Sequence, residues 1–204
     1  MLRKRIALLR RRADLSLEQF DAHWAGPHAP LIRRLPGLQR YVQNHVVATA
    51  DDTIDGVVEV WFDDAAVASP EAHFSSEQAE DELRFLSGLS AFVVDDTSDY
   101  DPPAKVWAIL RERTVGAAAR AADDLRAAVP ASDIRVNRRL TDVPAMSRPA
   151  LAFENPLPDV LLTACFDSVD DALAARDQVE SLLSVDSAAF HGVRVLATSS
   201  TRFL

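Results

Sequence analysis

His28 lies between Pro27 and Pro30, and Tyr41, Asn44 and His45 follow within the next seventeen residues. An imidazole titrates near neutrality, so His28 can both accept and donate protons. Each proline lacks a backbone N–H, so a helix through this segment must bend or restart. A bend can turn the imidazole off the helix surface into a cleft. A structural role is the alternative, with His28 capping the restarted helix or bonding a buried carbonyl. Tyr41 offers a hydroxyl that can polarise a carbonyl or stabilise an enolate. A core tyrosine with its hydroxyl at a rim would look the same. Period-two alternation puts Gln39, Tyr41, Gln43 and His45 on one strand face and Asn44 on the other. These types can support proton transfer, with His28 as acid or base and Tyr41 as donor to a developing oxyanion.

Further residues are candidates for lining such a pocket. Trp24 precedes His28 by four residues and shares its helix face if the kink permits. Trp61 could supply an aromatic wall, and Phe74 and Phe85 lie on the apolar side of a later helical stretch. All four also read as ordinary core. Gln43, Asn44 and His45 are polar candidates for substrate contact. Glu59 interrupts the apolar run 57–61, so it is either at an edge or buried and paired. Buried, it would have a raised pKa and could itself act as acid or base.

Other chemistries lack their signatures. The five histidines show no His-x-x-x-His or His-Glu pairing typical of a metal helix. The six glycines are not clustered into a phosphate loop, and there is no Gly-x-Ser-x-Gly elbow. No metal is therefore expected. Cys165 is the single cysteine, which precludes an intramolecular disulfide. On its predicted strand it reads as buried and inert.

The 204 residues allow one domain or two small ones, and a net charge of −9 argues against nucleic acid as a partner. The acidity is concentrated in residues 1–104, with 10 basic and 18 acidic residues, against 12 and 13 in residues 105–204. The arginines at 10–12 could bind an anion or form a solvated strand end. No stretch approaches the length of a membrane span, and the apolar segment behind Arg5 is too short for a signal-peptide core. No membrane partner is expected, and a cytoplasmic location is the default.

An internal repeat supplies the elements that must position these residues. Residues 4–12 and 105–113 share five of nine identities, and 55–63 resembles 159–167 at matching spacing. Residues 1–101 and 104–204 are read as two units joined at Pro102-Pro103, an extended linker. The first predicts strand 4–11, a helix from N-cap Ser16 to about 34, strands 38–47 and 56–62, a helix over about 65–86 and a strand near 91–98. The second predicts strand 105–111, helix 115–128, strands 133–140 and 159–166, helix 169–183 and strand 191–198. This βαββαβ order is ferredoxin-like. Each unit leaves one sheet face bare, and two units can bury those faces against each other.

The first unit resembles the EthD family of the dimeric α+β barrel superfamily. The resemblance is carried by His23-Trp24, His28-Ala29-Pro30-Leu31, Leu35-Pro36-Gly37-Leu38, Tyr41-Val42-Gln43-Asn44, the strand from Asp55-Gly56 to Trp61-Phe62, and Ser69-Pro70-Glu71. It implies an α+β fold, a cofactor-free barrel with pockets between the sheet and helices of each unit. Family members mostly form the barrel as homodimers; here two tandem units make an intrachain pseudo-dimer, with further homodimerisation open. Characterised relatives act on phenolic compounds, polyketides or lactones by proton transfer, and in lactone-isomerising relatives a histidine and a tyrosine matching His28 and Tyr41 are implicated. Those enzymes also use a cysteine and a second histidine in the pocket, which this unit does not match. The second unit has nothing like His28 or Tyr41, so it is expected to be a structural partner with a vestigial pocket, or one that binds something different.

The expected protein is a cofactor-independent acid–base enzyme of isomerase, cyclase or lyase type, acting on a small aromatic, polyketide-like or lactone substrate. A non-catalytic small-molecule-binding protein is one alternative. A cofactor-free quinol-type monooxygenase is another.

Overall fold

The computed structural model describes residues 2–49, 53–63, 75–98, 100–185 and 188–204. Eight strands form one antiparallel sheet in the order β4-β1-β3-β2-β8-β5-β7-β6. The strands are β1 (Leu2–Arg11), β2 (Leu38–Thr49), β3 (Gly56–Asp63), β4 (Leu86–Val94), β5 (Ala104–Glu112), β6 (Asp133–Arg138), β7 (Val160–Phe166) and β8 (Phe190–Arg202). The helices are α1 (Leu17–His23), α2 (Ala29–Ile32), α3 (Ser76–Phe85), α4 (Ala117–Ala128) and α5 (Val169–Val185), with a π-helical turn at Trp24–His28 between α1 and α2. The βαββαβ order occurs twice, before and after Pro102-Pro103.

The sheet curls until its two edges meet. The segment after β6 pairs with β4: Leu140 N–H donates to the Val93 carbonyl, Met146 exchanges bonds with Ala91, and Leu89 N–H donates to the Ala152 carbonyl. Both edges are thereby covered, which removes the unpaired ladder an open sheet would expose. Alternation then divides each strand between two environments. Ile6, Leu8, Val57, Phe92, Trp107, Ile109, Leu161 and Leu196 fill the barrel interior. The outward faces pack against helices, around Phe20, Trp24 and Phe85 in the first unit and around Leu125, Leu162 and Val179 in the second.

The pseudo-symmetry reaches individual hydrogen bonds. Asn44 Nδ2 donates to the Val57 carbonyl and to Glu59 Oε2, at 2.9 and 3.0 Å. Asn137 Nδ2 donates to the Leu161 carbonyl and to Thr163 Oγ1, both at 3.0 Å. Each asparagine is fully buried and repeats the other's position on the second strand of its unit. In this register Ile134 stands where Tyr41 stands in the first unit, and Val136 where Gln43 stands.

Two expectations change. The strand expected near 91–98 begins at Leu86, directly after α3, because Leu86 to Leu89 already pair with the end of β1, and Ser87 and Leu89 also bond Ala152. The helix expected over 65–86 is described only from Ser76, with Ser75 as N-cap; its first part, with Phe74 and Ser69-Pro70-Glu71, lies outside the described residues. Ser16 caps α1 as expected, and Gln19 completes a capping box.

Candidate active site

The π-helical turn explains how the first helix delivers two histidines to one place. Pro27 cannot donate to the carbonyl four residues back, so the helix widens to the π spacing over Trp24–His28. In a regular α-helix, residues five apart point about 140° away from each other at 3.6 residues per turn. The widened turn absorbs that offset. His23 Nε2 and His28 Nδ1 each lie 3.0 Å from the Asp81 carboxylate of α3, one on each oxygen. A carboxylate accepts, so both ring nitrogens donate. For His28 this leaves Nε2, on the far edge of the ring, with the lone pair.

His28 lines a cavity of about 50 Å³ between the first unit's sheet and helices. Its walls include Trp24, Tyr41, Val60, Leu89 and Gln78. Burial pulls the His28 pKa below its usual value, opposed by Asp81 and Glu82. Its imidazole is therefore neutral at pH 7, as a general base requires. The Tyr41 hydroxyl accepts from Gln43 Nε2 at 2.5 Å. Burial pushes its pKa well up, so Tyr41 stays a protonated donor. Gln43 Nε2 also donates to the Trp24 carbonyl at 2.9 Å, which fixes the amide so that Oε1 faces His45 Nε2 at 3.1 Å. His45 Nδ1 meets Asp21 at 2.7 Å.

Among the described residues, two buried polar atoms of the cavity walls lack a well-formed hydrogen bond: the Trp24 indole nitrogen, which faces the Tyr41 hydroxyl, and Gln78 Oε1. The Gln78 amide cannot simply be reversed, because its Nε2 donates to Glu82 Oε1 at 2.9 Å. One unsatisfied donor and one unsatisfied acceptor thus belong to the walls, and such groups are costly unless something fills them.

The second unit contributes to this site. Met146 lines the cavity, and Arg148 Nε donates to Glu82 Oε2 at 2.6 Å. The segment linking β6 to β7 covers the pocket of the first unit. Between its own sheet and helices the second unit holds a continuous apolar core with Ala118, Ala122, Ala172 and Ala175 at the helix contacts.

The sequence-derived site residues divide by sheet face. His28, Tyr41 and Trp24 meet at the cavity. Gln43 and His45 stand behind it: Gln43 braces Tyr41, and the His45 ring lies tilted against Trp24 with ring centres 4.6 Å apart. Asn44, Glu59 and Trp61 do not reach it. Tyr41 registers with Val60 on β3, so the neighbouring Glu59 and Trp61 point into the barrel. Glu59 bonds Lys4 Nζ at 2.8 Å and also pairs with Lys105. Burial alone would raise its pKa, but the two ammonium groups outweigh that and hold it well below the usual carboxylate range. The raised pKa expected for a buried Glu59 is therefore corrected, and with it the acid or base role. Phe85 backs the histidines instead of lining the cavity, stacked on His23 at 4.8 Å and lying 4.9 Å from His28. Cys165 is buried on β7, and burial pushes its thiol up to about 11.

Sequence reasoning missed Asp81, His23, Gln78, Glu82, Met146 and Arg148. One signal was available on α3, where Gln78, Asp81, Glu82 and Phe85 follow the i, i+3, i+4, i+7 stripe of a buried face. Polar residues at core positions mark groups with partners to find.

Fold and site together define a dimeric α+β barrel whose two halves come from one chain. Residues 12–88 match the model of the EthD domain, a match that lies within the first unit and ends early in β4. No curated protein matches the chain. Among solved structures, the chain is similar to an anthrone oxidase-like protein at 13% identity and a TM-score of 0.59, covering 98% of this chain and 92% of that one. A mutant chlorite dismutase from Candidatus Nitrospira defluvii is similar at 9% identity and a TM-score of 0.54, covering 98% and 91%. A candidate monooxygenase from Lactobacillus acidophilus NCFM is similar at 9% identity and a TM-score of 0.51, covering 98% and 95%. At these identities the likeness is one of fold. Among the described residues, no helix is long and apolar enough to cross a membrane.

Proposed function

We propose that the first unit's cavity performs proton-transfer chemistry on a small phenolic or polyketide-like compound, with His28 as general base. The observation that carries this reading is the Asp81 carboxylate on His28 Nδ1, which leaves Nε2 as the basic nitrogen of a residue in the cavity wall. His28 Nε2 would take a proton from an acidic C–H or O–H. Tyr41, held by Gln43, would donate to the oxygen on which negative charge develops. The Trp24 N–H and Gln78 Oε1 would satisfy a further acceptor and donor of the substrate. A cavity of about 50 Å³ is smaller than an aromatic ring system, so the covering segment with Met146 and Arg148 must shift on binding.

Isomerisation or cyclisation would follow if the deprotonated substrate is reprotonated or attacks an internal carbonyl. Oxygenation is a second reading, favoured by the similarity to an anthrone oxidase-like protein and a candidate monooxygenase. In that case molecular oxygen is the co-reactant that takes electrons from the deprotonated substrate. One experiment serves both. Wild-type protein and the His28→Gln variant are incubated in D2O with anthrone, phenols and cyclic 1,3-diketones, first without oxygen and then with it. Deuterium exchange at the acidic carbon that His28→Gln abolishes supports the base role. Oxygen uptake coupled to that exchange selects oxygenation. Binding without exchange for every compound bound contradicts the base role and favours a binding protein.

A further inference from the structure

A second cavity, of about 530 Å³, opens at the end of the barrel where β1 and β5 finish and β8 begins. Its apolar walls include Leu8, Ile54, Leu89, Ile109 and Phe153, and three arginines line it: Arg10, Arg111 and Arg194. Arg194 is partly engaged, paired with Glu154. The side chains of Arg10 and Arg111 make no hydrogen bond or ion pair among the described residues. Their neighbours differ. In the run at 10–12, Arg11 pairs with Asp55 at 2.9 Å and Arg12 with Asp14 at 2.7 Å, and Arg10 alone turns to the cavity unpaired. The chain carries a net charge of −9, so acidic partners are plentiful elsewhere. Gly192, at φ +59°, keeps space beside Arg111, where an added Cβ would sit 3.4 Å from Nη2.

We propose that this barrel mouth binds a small amphipathic organic acid. Its carboxylate would engage the Arg10 and Arg111 guanidiniums, which suit planar, two-toothed recognition of that group. Its apolar body would lie on Leu8, Ile54, Ile109 and Phe153. A volume of this size is that of a small-molecule site, and apolar walls with a few convergent polar groups are the usual make-up of one. An inorganic anion would use the arginines and waste the apolar walls. The site is separate from the His28 cavity and shares with it only Leu9 and Leu89, so it does not depend on the acid–base reading.

Isothermal titration of the full chain with naphthalene-2-carboxylate tests this. The expected result is saturable one-site binding, weakened about tenfold or more in Arg10→Gln/Arg111→Gln, since a charge-assisted pair is lost. Naphthalene-2-methanol, which has the same body without the charge, is expected to bind the wild type more weakly by a similar factor. His28→Gln is expected to bind the acid as the wild type does. Arg111→Glu serves as a second variant, and thermal unfolding confirms that each variant is folded. Absence of saturable binding overturns the proposal. So does equal affinity in the arginine variants, loss of binding in His28→Gln, or inorganic phosphate binding as tightly as the naphthoate.

Discussion

Asp81 Oδ2 lies 3.0 Å from His28 Nδ1, while Asp81 Oδ1 lies 3.0 Å from His23 Nε2. One carboxylate on α3 therefore orients two imidazoles that a regular helix would turn apart. The π-helical turn at Trp24–His28 makes the pairing possible, and Pro27 makes the turn.

In the proposed reaction, His28→Gln lowers the rate by about 10²- to 10⁴-fold, the usual loss on removing a general base. Asp81→Asn has a more specific effect. Burial lowers the His28 pKa and Asp81 opposes that, so removing the Asp81 charge lets it fall further. The acidic limb of the rate profile then moves to lower pH while the plateau rate drops. A pH–rate profile of Asp81→Asn against wild type checks this; a merely structural Asp81 would leave the limb in place.

The same shift carries a stability consequence. The unfolded chain takes up the His28 proton near the ordinary value of about 6.5, and the folded protein takes it up at lower pH. Between pH 7 and 5 the unfolded state thus binds more protons, and this contribution to stability falls with acid. Denaturant midpoints measured across that range are expected to change less in His28→Gln than in wild type.

Inside the barrel, Glu59→Gln leaves Lys4 and Lys105 buried without their shared counter-ion. The expected cost is about 3–5 kcal/mol by equilibrium denaturation, the range seen when one partner of a buried ion pair is removed. Replacing all three with Lys4→Met, Glu59→Leu and Lys105→Met is expected to recover only part of it, because the buried Asn44 and Asn137 then lose a partner each. The depressed Glu59 pKa gives stability that is present above its ordinary value and is lost as pH falls from there toward the folded value.

Much of this was legible in the sequence, and the limits were physical. The repeat showed in Lys4 and Lys105, and the strand alternation separated Asn44 from Tyr41. Glu59 and Trp61 were assigned to the pocket because the register of β3 against β2 is a tertiary fact: Tyr41 opposite Val60 decides their face. Asp81 escaped because 53 residues separate it from His28. Met146 and Arg148 escaped because they belong to the unit that has no Tyr41 of its own. That unit still completes the first unit's site.

Gly56 leaves room for Trp24. A Cβ there would meet the indole at 2.6 and 2.8 Å, closer than real contacts allow. Gly56→Ala is expected to displace the ring from the cavity wall and to cost about 1–3 kcal/mol, as overpacking does. Thermal unfolding and tryptophan fluorescence report the two effects.

Arg148→Ala removes the guanidinium from the buried Glu82 and loosens the covering segment. Hydrogen exchange over residues 139–153 is expected to quicken relative to the rest of the barrel. Exchange unchanged from wild type would show that Met146, Leu151 and the pairing with β4 hold the segment without the ion pair.

In the proposed site, Asp81 fixes His28 with its proton on Nδ1 and a free lone pair on Nε2. Nitrogen-15 chemical shifts of the His28 ring at pH 7 test it most directly. A protonated Nδ1 and an unprotonated Nε2 are expected. A protonated Nε2, as the other tautomer or as the imidazolium, would contradict it.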